Sequence, residues 1–211
     1  MLSYGYYYAG GLLAGAAVAT YLLGWPYALP FYALAAFCLN FFRDPERQAP
    51  SGPVAVSPAD GKVVAIRPVA SGANRISIFL NIFDVHVNRT PIPGKVACLN
   101  YKKGQFLAAN RDQASDANEQ SIMTVEGVVG GIHTTVMFKQ IAGLIARRII
   151  CYKKPGDILE PGERIGLIKF GSRVDVFLGP EWDLAVRPGD RVSAGSSVIA
   201  RIREAGARET V

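Results

Sequence analysis

No Asp, Glu, Lys, Arg or His occurs from Met1 to Phe42, and every charge of this 211-residue chain lies from Arg43 onward. A water-soluble globular domain spreads charged residues over its surface, so an uncharged run of this length predicts a segment that meets lipid. Tyr6 to Leu23 is apolar and rich in Gly and Ala. Gly24-Trp25-Pro26-Tyr27-Ala28-Leu29-Pro30 then interrupts it, because each proline removes a backbone donor. Phe31 to Phe42 resumes the apolar run and closes on Arg43-Asp44-Pro45-Glu46-Arg47. A spanning helix takes about 20 apolar residues. The first segment nearly reaches that length, and the second does so only if it starts near Trp25. The pattern predicts a membrane-associated helical hairpin over residues 1–47, either spanning or re-entrant in one leaflet. Tyr6, Tyr7, Tyr8, Trp25 and Tyr27 read as interfacial aromatics. No positive n-region precedes the apolar run, which disfavours a secretory signal peptide. Arg43, Arg47 and the later basic residues place the remaining domain on the cytoplasmic side of the cell inner membrane.

Residues 48–211 are long enough for one compact domain with a sizeable core. Gln48 to Pro58 is a proline-rich linker, and short strands separated by turns follow. They run over Val63–Ile66, Arg75–Leu80, Val85–Val87, Gly94–Val96, Ser121–Val129, Thr134–Ile141, Ala146–Tyr152, two segments within 165–178, and Val198–Ile202. Asn100 to Glu119 is polar and aperiodic, a loop with room for one helical turn. Lys154-Pro155-Gly156-Asp157, Glu160-Pro161-Gly162-Glu163 and Arg187-Pro188-Gly189-Asp190 repeat one turn chemistry, since Pro followed by Gly presets a type II turn. Strand, Pro-Gly-Asp turn, Arg-Val and Ala-Gly-Ser-Ser-Val-Ile-Ala together resemble the half-motifs of lipoyl- and biotinyl-type β-sandwiches. The fold class expected is mainly β (α+β), a barrel-sandwich-like domain behind an apolar hairpin. Such a likeness says little about function.

Cys38, Cys98 and Cys151 are scattered and lack Cys-x-x-Cys spacing, which argues against a disulfide framework and a zinc site. With only His86 and His133 present, a histidine-rich metal centre is not expected. There is no Gly-rich phosphate loop, Gly-x-Ser-x-Gly elbow or HExxH helix. The formal charge is +6. Arg147, Arg148, Lys153 and Lys154, with Lys102 and Lys103, suit either a solvated basic face or attraction to anionic lipid, worth roughly 1 kcal/mol per residue near the surface. No nucleic-acid motif accompanies them.

The most informative stretch is Leu167-Ile168-Lys169-Phe170-Gly171-Ser172-Arg173-Val174-Asp175-Val176-Phe177-Leu178. It reads as two apolar strands meeting at a Gly-Ser step, which is either a kinked strand or a reactive bond. Gly195-Ser196 repeats the pair in an ordinary turn, so the dipeptide alone decides nothing. Asp60 lies in Ala-Asp-Gly-Lys, which suits a turn with Asp bonding its own backbone or a catalytic carboxylate. His86 is read on an alternating strand, with Val85 and Val87 facing one way and His86 the other. It is either a satisfied structural group or a proton carrier. His133 is read as structural or surface.

Ala59-Asp60-Gly61-Lys62-Val63, Asn81-Ile82-Phe83-Asp84-Val85-His86-Val87-Asn88-Arg89-Thr90-Pro91 and Phe170-Gly171-Ser172 together resemble the phosphatidylserine decarboxylase family in its short bacterial and archaeal form. Phe41 to Pro45 and Gln140 to Arg148 are similar to further blocks of that form, and Asn118-Glu119 to another position. The resemblance implies a zymogen that cuts itself between Gly171 and Ser172 into a β chain, 1–171, and an α chain, 172–211. The two chains stay associated as a heterodimer, with a higher oligomer left open. It further implies a covalent pyruvoyl group made from Ser172, which forms a Schiff base with the substrate amine, and conversion of phosphatidylserine to phosphatidylethanolamine and carbon dioxide. Asp60 is carried over as the carboxylate that drives processing and His86 as the group handling protons in decarboxylation. The longer form of the family has a second histidine three residues on, where this chain has Arg89. The reading from another class is a non-catalytic lipoyl-like β-sandwich adaptor tethered by the hairpin.

Overall fold

The computed structural model describes residues 3–70, 72–108, 113–144, 148–169 and 171–203. Phe170 and Arg147, both singled out in the sequence, lie outside the described residues. The chain divides into two compact units. One runs through Glu46 and takes in Ile82–Val85; the other comprises Arg47–Asn81 and the chain from His86 onward.

In the first unit, helix α1 (Ser3–Leu23) and helix α2 (Leu29–Phe41) flank a 3-10 turn, Trp25–Ala28. Pro26 and Pro30 each occupy the first turn of their helical segment, where a missing N–H costs nothing. The Tyr8 ring stacks on Phe42 at 5.5 Å, and Phe41 meets Phe42 edge-on at 5.0 Å. The Arg43 guanidinium donates to the Asn40 and Phe83 carbonyls, both at 2.7 Å, which ties the Ile82–Val85 segment into this unit. Large apolar side chains stand bare along it: Tyr7, Tyr21, Leu22, Trp25 and Tyr27 are all more exposed than buried. Among the described residues no helix is long and apolar enough to cross a membrane. Tyrosines, glycines, Ser3 and Thr20 dilute α1.

The second unit is mainly β. Its strands are β1 (Val54–Val56), β2 (Gly61–Pro68), β3 (Asn74–Leu80), β4 (Val87–Arg89) and β5 (Gly94–Lys102). After a single helical turn, α3 (Ala114–Ala117), come β6 (Gln120–Val129), β7 (Ile132–Ile141), β8 (Ile149–Cys151), β9 (Ile158–Leu159) and β10 (Arg164–Ile168). The last four are β11 (Ser172–Leu178), β12 (Trp182–Leu184), β13 (Arg191–Val192) and β14 (Val198–Ile202). These strands pair antiparallel throughout, and an isolated parallel bridge joins Gln105 to Asn118. An eight-stranded sheet runs β13-β2-β3-β11-β7-β6-β5-β9, and two small sheets run β1-β14-β12 and β4-β10-β8.

Register shows how the core is built. Ile76, Val176, Phe138 and Met123 form one cross-strand row of the large sheet, every side chain buried. The row beside it, Ile78, Val174, Gln140 and Ser121, turns polar at one end. Leu80 and Ser172 pair in the next. Val54–Val56, Trp182 and Val198–Ile202 bring the first small sheet to the same core, and Ile165 and Ile168 the second. Truncating a ring such as Phe138 to Ala costs about 3–5 kcal/mol in a core of this kind.

Two sequence expectations change. The strand near His86 begins at Val87, so Val85 and His86 precede it instead of alternating along it, and all three residues are buried. The two segments around Gly171 are not halves of one kinked strand. β10 belongs to a small sheet and β11 to the large one, so the chain switches sheets across residues 169–171.

Candidate active site

The sheet switch sets the geometry of the Gly-Ser step. A chain that leaves one sheet and enters another must turn sharply, and Gly171 does so at φ +65. That left-handed torsion is one that a residue with a Cβ adopts only at a cost of roughly 1–2 kcal/mol. A Cβ added at 171 meets nothing within 4 Å, so torsion alone selects glycine here. The turn holds the residue-171 amide toward His86: Gly171 N–H donates to His86 Nε2 at 3.2 Å. On this hydrogen-bond pattern Nε2 is the unprotonated, acceptor nitrogen of the ring. His86 is itself buried, and its carbonyl receives the Ile168 N–H at 3.4 Å.

Ser172 opens β11 with its side chain on the core face, beside Leu80. It is fully buried, and its Oγ has no hydrogen-bond partner among the described residues. Buried hydroxyls are normally satisfied, and leaving one unmade costs about 1–3 kcal/mol.

Asp60 is 9% exposed, and its carboxylate accepts from Arg47 Nη2 at 2.9 Å and from the Ala194 N–H at 2.7 Å. It therefore does not make the local turn that Ala-Asp-Gly-Lys suggested, but ties residue 47 and the 194–197 turn together. Its hydrogen bonds go to neither Ser172 nor His86. Arg89, on β4, sends Nη1 to the Gly162 carbonyl at 3.0 Å and packs beside Gly195. The position that carries histidine in the longer family form is thus filled by a cation bound to main chain.

Three features were missed from sequence. Gln140 Nε2 donates to Asn88 Oδ1 at 2.8 Å, and Asn88 Nδ2 to the Pro58 carbonyl at 3.4 Å. This buried amide chain joins β7, β4 and the segment before Asp60; both amides sit in motif blocks, but their contact is long-range. Asn118 pins the Leu107 N–H and carbonyl and the Ala142 carbonyl, which is a structural role for a position whose role was open. Lys169, two residues before Gly171, is only 7% exposed. His133 is exposed, consistent with a surface group, and among the described residues no cluster of metal-ligating side chains exists.

The phosphatidylserine decarboxylase family profile matches residues 34–200. The chain belongs to that family. A phosphatidylserine decarboxylase proenzyme of Solibacter usitatus is 62% identical over 201 residues, covering 95% of this chain and 96% of the relative. Proenzymes of the same description from Nitratidesulfovibrio vulgaris and Syntrophotalea carbinolica are each 45% identical, over 204 and 201 residues, and cover 93% and 92% of the chain. These relatives are matched along nearly their whole length. The adaptor reading has no counterpart among them.

Proposed function

We propose that this chain is a self-processing phosphatidylserine decarboxylase whose cut falls between Gly171 and Ser172. The observation that carries the site is the buried, unpartnered Ser172 Oγ beside a glycine amide that is bonded to His86 Nε2. The Oγ adds to the Gly171 carbonyl carbon, and the 171–172 C–N bond breaks to leave an ester between the two residues. Removal of the Ser172 α-proton then expels the Gly171 carboxylate and leaves dehydroalanine at 172. Water converts this to a ketone-capped chain and ammonia. An orphaned buried hydroxyl at the head of a strand fits a residue that gives rise to such a pyruvoyl group. Once formed, the group supplies a ketone that takes up the electron pair released when carbon dioxide departs.

His86 is proposed as the proton carrier, because its acceptor nitrogen lies 3.2 Å from the Gly171 amide, one residue from the reacting bond. Asp60 is kept as the carboxylate of processing, acting from its place between Arg47 and Ala194. The product is phosphatidylethanolamine. After cutting, residues 172–211 remain held by the pairing of β11 with β3 and β7, of β13 with β2, and of β14 with β1. The bare apolar side chains of the helical unit support contact with lipid, and exposed Lys102, Lys103, Arg148 and Lys154 support attraction to anionic head groups. The cytoplasmic face of the inner membrane is the proposed location.

The test is an intact mass of purified protein after carbonyl labelling. The expected result is two fragments, 1–171 and one beginning at 172 that takes up the label. A folded, uncut chain without a reactive carbonyl overturns the proposal.

A further inference from the structure

Cutting turns residue 172 into a chain end, and chain ends fray unless something holds them. The reacting ketone has to stay in place, since a misplacement of about 1 Å costs on the order of 10²-fold in rate. Main-chain pairing secures this end incompletely. On the β3 side the register begins at Ser172 with Leu80, but on the β7 side it begins only at Arg173 with Ile141.

The side chains of the opposite face make up the difference. Arg173 is 1% exposed; its Nε donates to Asp175 Oδ1 at 2.6 Å and its Nη2 to Ser77 Oγ at 2.7 Å. Asp175, fully buried, accepts from Ser115 Oγ at 2.7 Å through its other oxygen. Arg173 and Asp175 lie in the 172–211 fragment, whereas Ser77 on β3 and Ser115 on α3 lie in 1–171. The bonds to Ser77 and Ser115 therefore run from one fragment to the other once the bond is cut. A buried ion pair is a poor device for stability, because desolvating both charges offsets their attraction, and an apolar pair of similar volume commonly does as well. What such a pair provides is fixed direction.

We propose that Arg173 is a positioning residue, and that its network with Asp175, Ser77 and Ser115 clamps the new end of the 172–211 fragment in register. The inference rests on the self-cleavage proposed above.

The test uses the Ser77→Ala/Ser115→Ala double variant, which leaves the ion pair in place and removes the bonds to Ser77 and Ser115. Cutting and carbonyl content, read by intact mass, are expected to match the parent. Hydrogen exchange of the 173–175 amides in the cut protein is expected to rise about tenfold. Turnover per labelled carbonyl is expected to fall severalfold with KM unchanged, and Ser→Thr at both positions to restore both readouts. The same double variant made in uncut Ser172→Ala protein is expected to exchange at the parent rate, because the peptide bond still holds residue 172. Parent-level exchange in the cut variant overturns the clamp. An equal rise in the uncut background also overturns it, by reducing the network to general sheet support. A parent protein that never cuts overturns the processing reading instead, and the two failures are told apart by the parent's mass alone.

Discussion

The chain contains two Gly-Ser steps, at 171–172 and 195–196, and both glycines take a left-handed φ. Gly171 has φ +65 and Gly195 has φ +73. What separates them is where their polar groups go. Gly195 N–H bonds the Ser57 carbonyl at 2.8 Å, Ser196 N–H bonds Ser193 at 3.2 Å, and the Ser196 side chain is half-buried. The Ser196 hydroxyl also donates to the Ser193 carbonyl, at 3.5 Å, so the amides and the hydroxyl of that step are all engaged. At 171–172 the glycine amide goes to an imidazole nitrogen, and the serine hydroxyl is buried with no partner among the described residues. Torsion alone does not make a reactive bond; the reactive candidate is the step whose hydroxyl has been left unsatisfied.

The largest difference between the two steps is expected from removing each hydroxyl. Ser172→Ala should abolish cutting, and Ser196→Ala should leave it at the parent level, read on a denaturing gel. The same pair reports on stability: Ser172→Ala deletes an unpaired buried hydroxyl, so the uncut variant should melt no lower than the Ser196→Ala protein. Cutting in Ser172→Ala would sink the assignment. Next in size is His86→Ala, for which turnover per carbonyl should drop by about 10²–10⁴, the usual range for a lost general acid–base group. A variant that both cuts and turns over normally removes His86 from the site. Asp60→Asn sharpens the contrast from the other side. Its partners are Arg47 and Ala194, the residue before the 195–196 step, so slowed cutting in a folded variant supports a processing role, whereas normal cutting with a lower Tm leaves Asp60 as a tie.

Smaller effects follow from the glycines themselves. Gly195→Ala brings a Cβ to 2.6 Å from Arg89 Cδ, while Gly171→Ala meets nothing. Both carry the torsional cost of roughly 1–2 kcal/mol, so Gly195→Ala should melt lower, and Gly171→Ala should keep its fold while cutting more slowly. The smallest effect is a pH dependence next to the ordinary step. Burial pushes the Glu163 carboxyl up, but Lys153 and the Glu160 N–H outweigh it and hold the group below its usual value. A lowered folded value contributes stability above the unfolded value, near 4.3, that is lost as pH falls through the folded value. Glu163→Gln should therefore flatten the acid limb of Tm against pH below about 4.5, by under about 1 kcal/mol for so exposed a pair. Parent-like acid behaviour in that variant would show the pair to be idle.

Local chemistry was legible in the chain, and long-range pairing was not. The break at Gly24 to Pro30, the Pro-Gly turns and most strands are visible because each depends on residues within a few positions: Gly156, Gly162 and Gly189 all take the positive φ that such turns need. The candidate pair Gly171-Ser172, His86 and the family were reachable from blocks of neighbouring residues in order. Arg47 on Asp60, Gln140 on Asn88 and Arg173 on Ser77 were not, since 13, 52 and 96 positions separate the partners. His86 was misread as part of an alternating strand because Val-His-Val carries the right period, while the strand begins one residue later.

By itself, then, the sequence determined the apolar hairpin, a mainly β domain punctuated by Pro-Gly turns, and Gly171-Ser172 as the bond to watch. These follow from period, torsional demand and composition, which act locally. Only the tertiary structure decided that this bond lies at a switch between two sheets, that the Ser172 hydroxyl is buried without a partner, and that Asp60 bonds Arg47 and Ala194. Those are questions of which groups meet across the fold, and burial and hydrogen-bond satisfaction exist only once distant strands have paired.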